Sequence, residues 1–169
     1  MTTTRGARAL LLATLAVCAL AVPADAAAQA MRTRAYAELG WTGFTGGGED
    51  RVTQVGLRVS GLDTRGPSLD FALAAWLVPA AIVTADLDLA LPIALGHGAR
   101  LAPRAGGSTL LFGGGGFGGA IAGWNVGVGL VLAPAAPVSL RADYTYRRFF
   151  ERELEDEGGL QSLTLGISW

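Results

Sequence analysis

His97 is the only histidine in this 169-residue chain, so a Ser–His–acid relay for nucleophilic attack would have to run through it. It stands between Gly96 and Gly98, a turn pattern that fixes no serine or carboxylate beside it. Gly113-x-Gly115-x-x-Gly118 matches the letters of a dinucleotide-binding loop. That loop needs a helix behind it and an acidic residue about 20 positions on, and the pattern supplies neither. Residues 151–157 hold five carboxylates and one arginine. They could share a divalent cation with phosphate groups, but they lack the alternating Asp/Asn ligands and central glycine of a calcium loop. They read as a solvated loop. No catalytic residue, cofactor or metal site is predicted, and the chain reads as a non-enzyme. What remains is ionic chemistry: arginines and carboxylates that recur on alternate positions.

That alternation defines the elements. Eight segments can be marked, at residues 34–44, 52–60, 68–78, 83–95, from 99 onward, 124–132, 138–148 and 160–169. In the fourth, Val83, Ala85, Leu87, Leu89, Leu91, Ile93 and Leu95 share one parity, while Thr84, Asp86, Asp88 and Ala90 share the other. A helix would scatter those leucines around its circumference; a strand puts them on one face. Turn-like breaks separate the segments at 46–50, 61–66, 79–81, 96–98, 113–119, 133–137 and 151–157. The glycine-rich span 113–119 is expected as a loop or as a strand end poor in side chains, and the end of the fifth segment is left open.

The front of the chain is different. Arg5 and Arg8 precede an apolar run from Ala9 to Val22, followed by Ala-x-Ala sites at Ala26, Ala28 and Ala30. This is an export signal peptide pattern, and the run is shorter than the roughly 20 residues a membrane-spanning helix needs. Residues 1–30 are expected to be removed, at a site the residues do not choose, leaving one domain at 31–169. Cys18, the sole cysteine, falls inside the signal, so the mature protein is expected to have no thiol chemistry. Thirteen basic residues, none of them lysine, balance 14 acidic ones, which suggests no nucleic-acid partner.

Half the residues are hydrophobic, 51 %, and mean hydropathy is +0.41, yet no segment of the mature chain offers an uninterrupted apolar span of helical length. A membrane β-barrel or a very apolar globule fits such a composition. Alternation alone does not say which face is outside: a soluble lipocalin-like calyx has the same period with the faces reversed. Three features favour lipid outside. The only charges between Gly66 and Ala99 are Asp70, Asp86 and Asp88, all opposite the leucines. The aromatics Trp41, Phe44, Trp124, Tyr146, Phe149 and Trp169 lie near segment ends, as in an interfacial girdle. The exported chain also carries an apolar C-terminal strand that ends in an aromatic residue. With both ends on the inner side, the turns at 61–66, 96–98 and 133–137 would be periplasmic and the other connections external. The inward parity then supplies Arg34, Arg58, Arg100, Arg104, Arg141 and Arg147 against Glu38, Asp70, Asp86, Asp88 and Asp143. Eight strands leave an interior just wide enough for side chains, so these are expected to fill the lumen as an Arg–carboxylate network. Trp41, Phe44, Trp124, Tyr146 and Trp169 are expected to form the girdle.

The signal peptide, the phrase from Ala136 to Tyr144 and the closing residues Leu163, Leu165, Ile167 and Trp169 resemble the small eight-stranded outer-membrane barrels of the opacity-protein and porin-like superfamily. The resemblance covers the whole mature chain. It implies an all-β, antiparallel, up-and-down transmembrane β-barrel of Gram-negative-type cell envelopes. It also implies that Leu163, Leu165, Ile167 and Trp169 form the signal read by the barrel-assembly machinery. Outer-membrane lipid and lipopolysaccharide are the implied surroundings, and a structural or adhesin-like role with an unidentified surface ligand is the implied function. The rivals are the periplasmic calyx binding a small apolar ligand and a lipid-modifying outer-membrane enzyme. The enzyme is disfavoured because His97 falls in a periplasmic turn, away from the outer half where such enzymes place their histidine.

Overall fold

Residues whose side chains alternate between apolar and polar bury only one set, so they pair edge to edge and turn one face away from water. In the computed structural model this produces β1 (Arg34–Phe44), β2 (Val52–Ser60), β3 (Ser68–Trp76), β4 (Ala81–Ala90), β5 (Ile93–Ala94), β6 (Ala99–Gly114), β7 (Phe117–Leu132), β8 (Ser139–Phe149) and β9 (Leu160–Ser168). The structure describes residues 33–46, 51–61, 66–78, 81–96, 98–114, 117–151 and 158–169. Residues 1–30, expected as a signal peptide and including Cys18, lie outside them, as do His97 and residues 152–157 of the acidic loop. Sheet order is β4-β3-β2-β1-β9-β8-β7-β6-β5, all pairings are antiparallel, and β4 also pairs with β6. The sheet therefore closes on itself as eight staves, with β4 and β5 sharing one. Closure leaves no long free edge around the body of the barrel, which is what a strand protein in hydrocarbon requires.

β4 begins at Ala81, inside the expected break, and β8 is shifted by one residue to Ser139–Phe149; three further differences have a clear extent. The third strand stops at Trp76 instead of residue 78. The fourth stave is interrupted at Leu91 and Pro92, because proline has no N–H for the ladder. Leu91 N still donates to Pro103 O at 2.9 Å, so the stave resumes in register as β5. The glycine-rich span is mostly strand: Phe112, Gly113 and Gly114 pair with Gly119, Gly118 and Phe117. Glycine hides the alternation there because it presents no side chain to either face. A Cβ on Gly119 would lie 2.6 Å from Cζ of the exposed Phe112 ring, which would have to turn aside.

The apolar parity points outward all round the barrel. Leu69, Leu87, Leu89 and Leu165 are 66, 58, 54 and 64 % exposed. Inside, the lumen is layered. At the lower end, which carries residue 33, Trp169 and the hairpin at 96–98, Tyr36, Ala90, Ala102 and Val131 pack together and are fully buried. At the upper end Leu110, Phe149 and Leu160 form a second apolar layer, with Phe44, Trp76, Ile82 and Ile121 against it. Between these two layers sit the charges.

Candidate functional site: the lumen

The charged layer is positioned by the strand pleat: every second residue of β1 to β4, β6 and β8 projects inward. Glu38, Arg58, Asp70, Asp86, Asp88, Arg104, Arg141, Asp143 and Arg147 are all buried. Arg58 Nε donates to Glu38 Oε1 at 2.7 Å, and its Nη1 lies 3.8 Å from Asp70 Oδ2 and 4.0 Å from Asp88 Oδ2. Arg104 Nε lies 3.2 Å from Asp88 Oδ2; its Nη1 donates to Asp143 and its Nη2 to Thr145 Oγ1 at 2.6 Å. Arg141 joins the two sides of the lumen. Its Nε donates to Asp143 Oδ2 at 2.6 Å, while Nη2 reaches Asp143 Oδ1 at 2.9 Å and Asp70 Oδ2 at 2.8 Å. Its guanidinium also sits 5.6 Å from the ring centroid of Tyr36, a favourable placement for a cation on an aromatic face.

Arg147 holds Asp86 with the fork geometry that suits guanidinium to carboxylate: Nε to Oδ1 at 2.9 Å and Nη2 to Oδ2 at 2.6 Å. Its Nη1 donates to Ser162 Oγ at 2.6 Å, and Ser162 Oγ donates to Thr42 Oγ1 at 2.9 Å. Ser108 Oγ donates to Asp86, Ser60 Oγ donates to Asp70, and Asn125 Nδ2 donates to Ser108 Oγ at 3.0 Å. Glycine makes room for this layer. A Cβ on Gly106 would meet Leu87 O at 2.0 Å and Asp88 Oδ1 at 2.6 Å.

Arg34 and Arg100 stand on the inward parity but are only half-buried, near the lower rim. Arg34 Nη1 donates to Ala136 O at 2.8 Å and to Ser168 Oγ at 3.4 Å. On the outside, Trp41, Trp124 and Tyr146 lie toward the upper end, with the Trp124 and Tyr146 rings 5.9 Å apart. Trp169 is exposed at the lower end. Leu163, Leu165 and Ile167 lie on the outward face of β9, paired with Trp41, Leu39 and Ala37. Phe44 does not join the girdle. It turns inward, and its ring meets Trp76 edge-on at 6.5 Å. Phe149, also expected among the strand-end aromatics, is buried in the same layer.

The sequence reading missed that upper apolar layer. The signal was present: Phe44 shares parity with Glu38 and Thr42, and Phe149 with Arg147. Parity decides the face here, and proximity to a strand end does not. The polar partners Thr42, Ser60, Ser108, Asn125, Thr145 and Ser162 were also missed, because short hydroxyl and amide side chains on an inward parity look the same in sequence whether or not an ion lies across the lumen. Among the described residues, no group of three or more His, Cys, Asp or Glu side chains could hold a metal ion.

No family model and no curated protein matches the chain. Solved structures do. The N-terminal β-barrel domain of Pseudomonas aeruginosa OprF aligns with a TM-score of 0.59 at 15 % identity, covering 83 % of this chain and 98 % of that one. Neisserial surface protein A aligns at 0.54 and 12 % identity, covering 80 % and 94 %. The attachment invasion locus protein Ail of Yersinia pestis aligns at 0.53 and 12 % identity, again over 80 % and 94 %. Ail has also been solved with the heparin analogue sucrose octasulfate. At such identities the likeness is one of fold, and the fold is that of the eight-stranded outer-membrane β-barrels.

Proposed function

We propose that this protein is a non-enzymatic β-barrel of the bacterial outer membrane with a structural or surface-interaction role, its lumen filled and closed to solutes. The observation that carries this reading is the inversion of the faces. Large leucines lie open on the outside while nine charged side chains are buried inside. In water such an exterior would be a continuous adhesive patch; in hydrocarbon it is the solvated surface. The signal peptide would export the chain, and residues 163–169 would present it to the assembly machinery. Both described ends and the hairpin at 96–98 would face the periplasm, so the upper connections would face the outside. The complex of Ail, a barrel of the same fold, with sucrose octasulfate supports a surface-interaction role. A filled lumen is supported by the two apolar layers that sandwich the charges. Each buried carboxylate lies within 4.0 Å of a guanidinium, an arrangement that suits a structural role rather than acid–base turnover.

Purified mature protein tests the membrane assignment. It is expected to need detergent or lipid to stay monomeric, and the folded band on a gel is expected to shift mobility on boiling. A detergent-free soluble monomer with no such shift would establish the calyx instead.

A further inference from the structure

The outward face of the strands carries a single charged side chain. Its residues are apolar or glycine except for Tyr144, Tyr146, Thr53, Thr109, Gln161 and Arg148. Five of the six lie toward the upper end, and Tyr144 sits at the middle of β8. Thr53 and Gln161 are each second in a strand that starts at that end, and Arg148 is next to last in β8, which finishes there. From Leu140 to Arg148 the outward face of β8 rises about 26 Å along the strand, at roughly 3.3 Å per residue. Arg148 therefore lies where the apolar band gives way to headgroups. Buried deeper in lipid, its charge would be strongly disfavoured.

Its surroundings are built for more than solvation. Arg148 pairs across the ladder with Trp124, whose ring stacks at a tilt on Tyr146, two residues back on the same face. Tyr146 in turn pairs with Gln161, which accepts a hydrogen bond from the Tyr144 hydroxyl at 3.4 Å. No carboxylate forms an ion pair with Arg148 among the described residues. A planar guanidinium on the same face as two aromatic rings suits an oxyanion whose carrier continues downward as an acyl chain.

We propose that Arg148, Trp124 and Tyr146 form a seat for the headgroup of an anionic outer-leaflet lipid, one whose phosphate charge no headgroup cation offsets. This rests on the membrane-barrel reading, and the gel-mobility shift separately reports whether that reading holds. The guanidinium takes the phosphate, the rings lie along the upper acyl chain, and Gln161 offers its amide to the headgroup.

The test compares urea-unfolding midpoints, read by gel mobility, in phosphatidylglycerol-containing and pure phosphatidylcholine vesicles. The wild type is expected to have the higher midpoint in the anionic vesicles. Arg148→Gln is expected to lose most of that difference while keeping its midpoint in phosphatidylcholine, and Arg148→Lys to retain part of it. Arg51→Gln, which removes an exposed upper-end arginine just before β2, is expected to keep the difference. Equal loss in Arg51→Gln would reduce the effect to general charge attraction and overturn the site. A fall in Arg148→Gln of the same size in both lipids would show that the arginine acts without regard to headgroup charge, also against the proposal. Reproduction of the effect by inorganic phosphate added to phosphatidylcholine vesicles would make the ligand free phosphate rather than lipid.

Discussion

Arg141→Ala is expected to lower the unfolding free energy of the vesicle-inserted barrel by about 3–5 kcal/mol, the usual cost of stripping one partner from a buried ion cluster. The magnitude follows from what is left behind. Among the described residues the buried layer holds four guanidiniums, Arg58, Arg104, Arg141 and Arg147, and five carboxylates, Glu38, Asp70, Asp86, Asp88 and Asp143. Loss of Arg141 removes three charged hydrogen bonds, leaving Asp143 only Arg104 and Asp70 only Ser60 and the more distant Arg58, in a layer already richer in carboxylates. Asp143→Asn is expected to cost less. It leaves Arg104 and Arg141 with a neutral acceptor and evens the charge count. Urea titrations in lipid vesicles check the order. If Arg141→Ala changes the midpoint no more than an exposed-site control, the charges are screened by a wet lumen and do not act as a packed network.

The second large effect lies on the other face. Leu89→Arg is expected to destabilise by about 2–4 kcal/mol, whereas Leu95→Arg, beside the lower hairpin, is expected to cost about 0–1 kcal/mol. Both leucines are exposed on the fourth stave and differ in depth. A soluble protein would treat both arginines as harmless surface changes, so the depth dependence itself is diagnostic. Equal small costs at both positions would place this face in water. Ala90, one residue on, is not the permissive lumen position that parity alone suggests. It is fully buried against Tyr36, Ala102 and Val131, so added atoms there would have to displace packed neighbours.

These contrasts also show how far the sequence carries. Period-two alternation located every stave and its inward face, because one parity must be uniformly apolar when lipid is the solvent. It failed where side chains are silent or conflicted. The run Thr109-Leu110-Leu111-Phe112 followed by glycines shows no period, although it extends β6 to Gly114. Hairpin register alone brings Asp88 within reach of Arg104, since both flank the same turn. It could not reach Arg147 with Asp86, or Arg141 with Asp70, which lie 61 and 71 residues apart and meet only when the barrel closes. The inward position of Phe44 and Phe149 was legible from parity, but their meeting with Leu110 and Leu160 was not. That layer depends on how the staves stagger.

The most direct measurement is the conductance of the purified wild-type protein in planar lipid bilayers. Eight staves leave a narrow interior, and here it holds an apolar layer at each end with an ion-paired layer between. The expected record is a membrane with inserted protein and no stable, large single-channel steps. Long-lived large currents from the wild type would contradict the filled lumen.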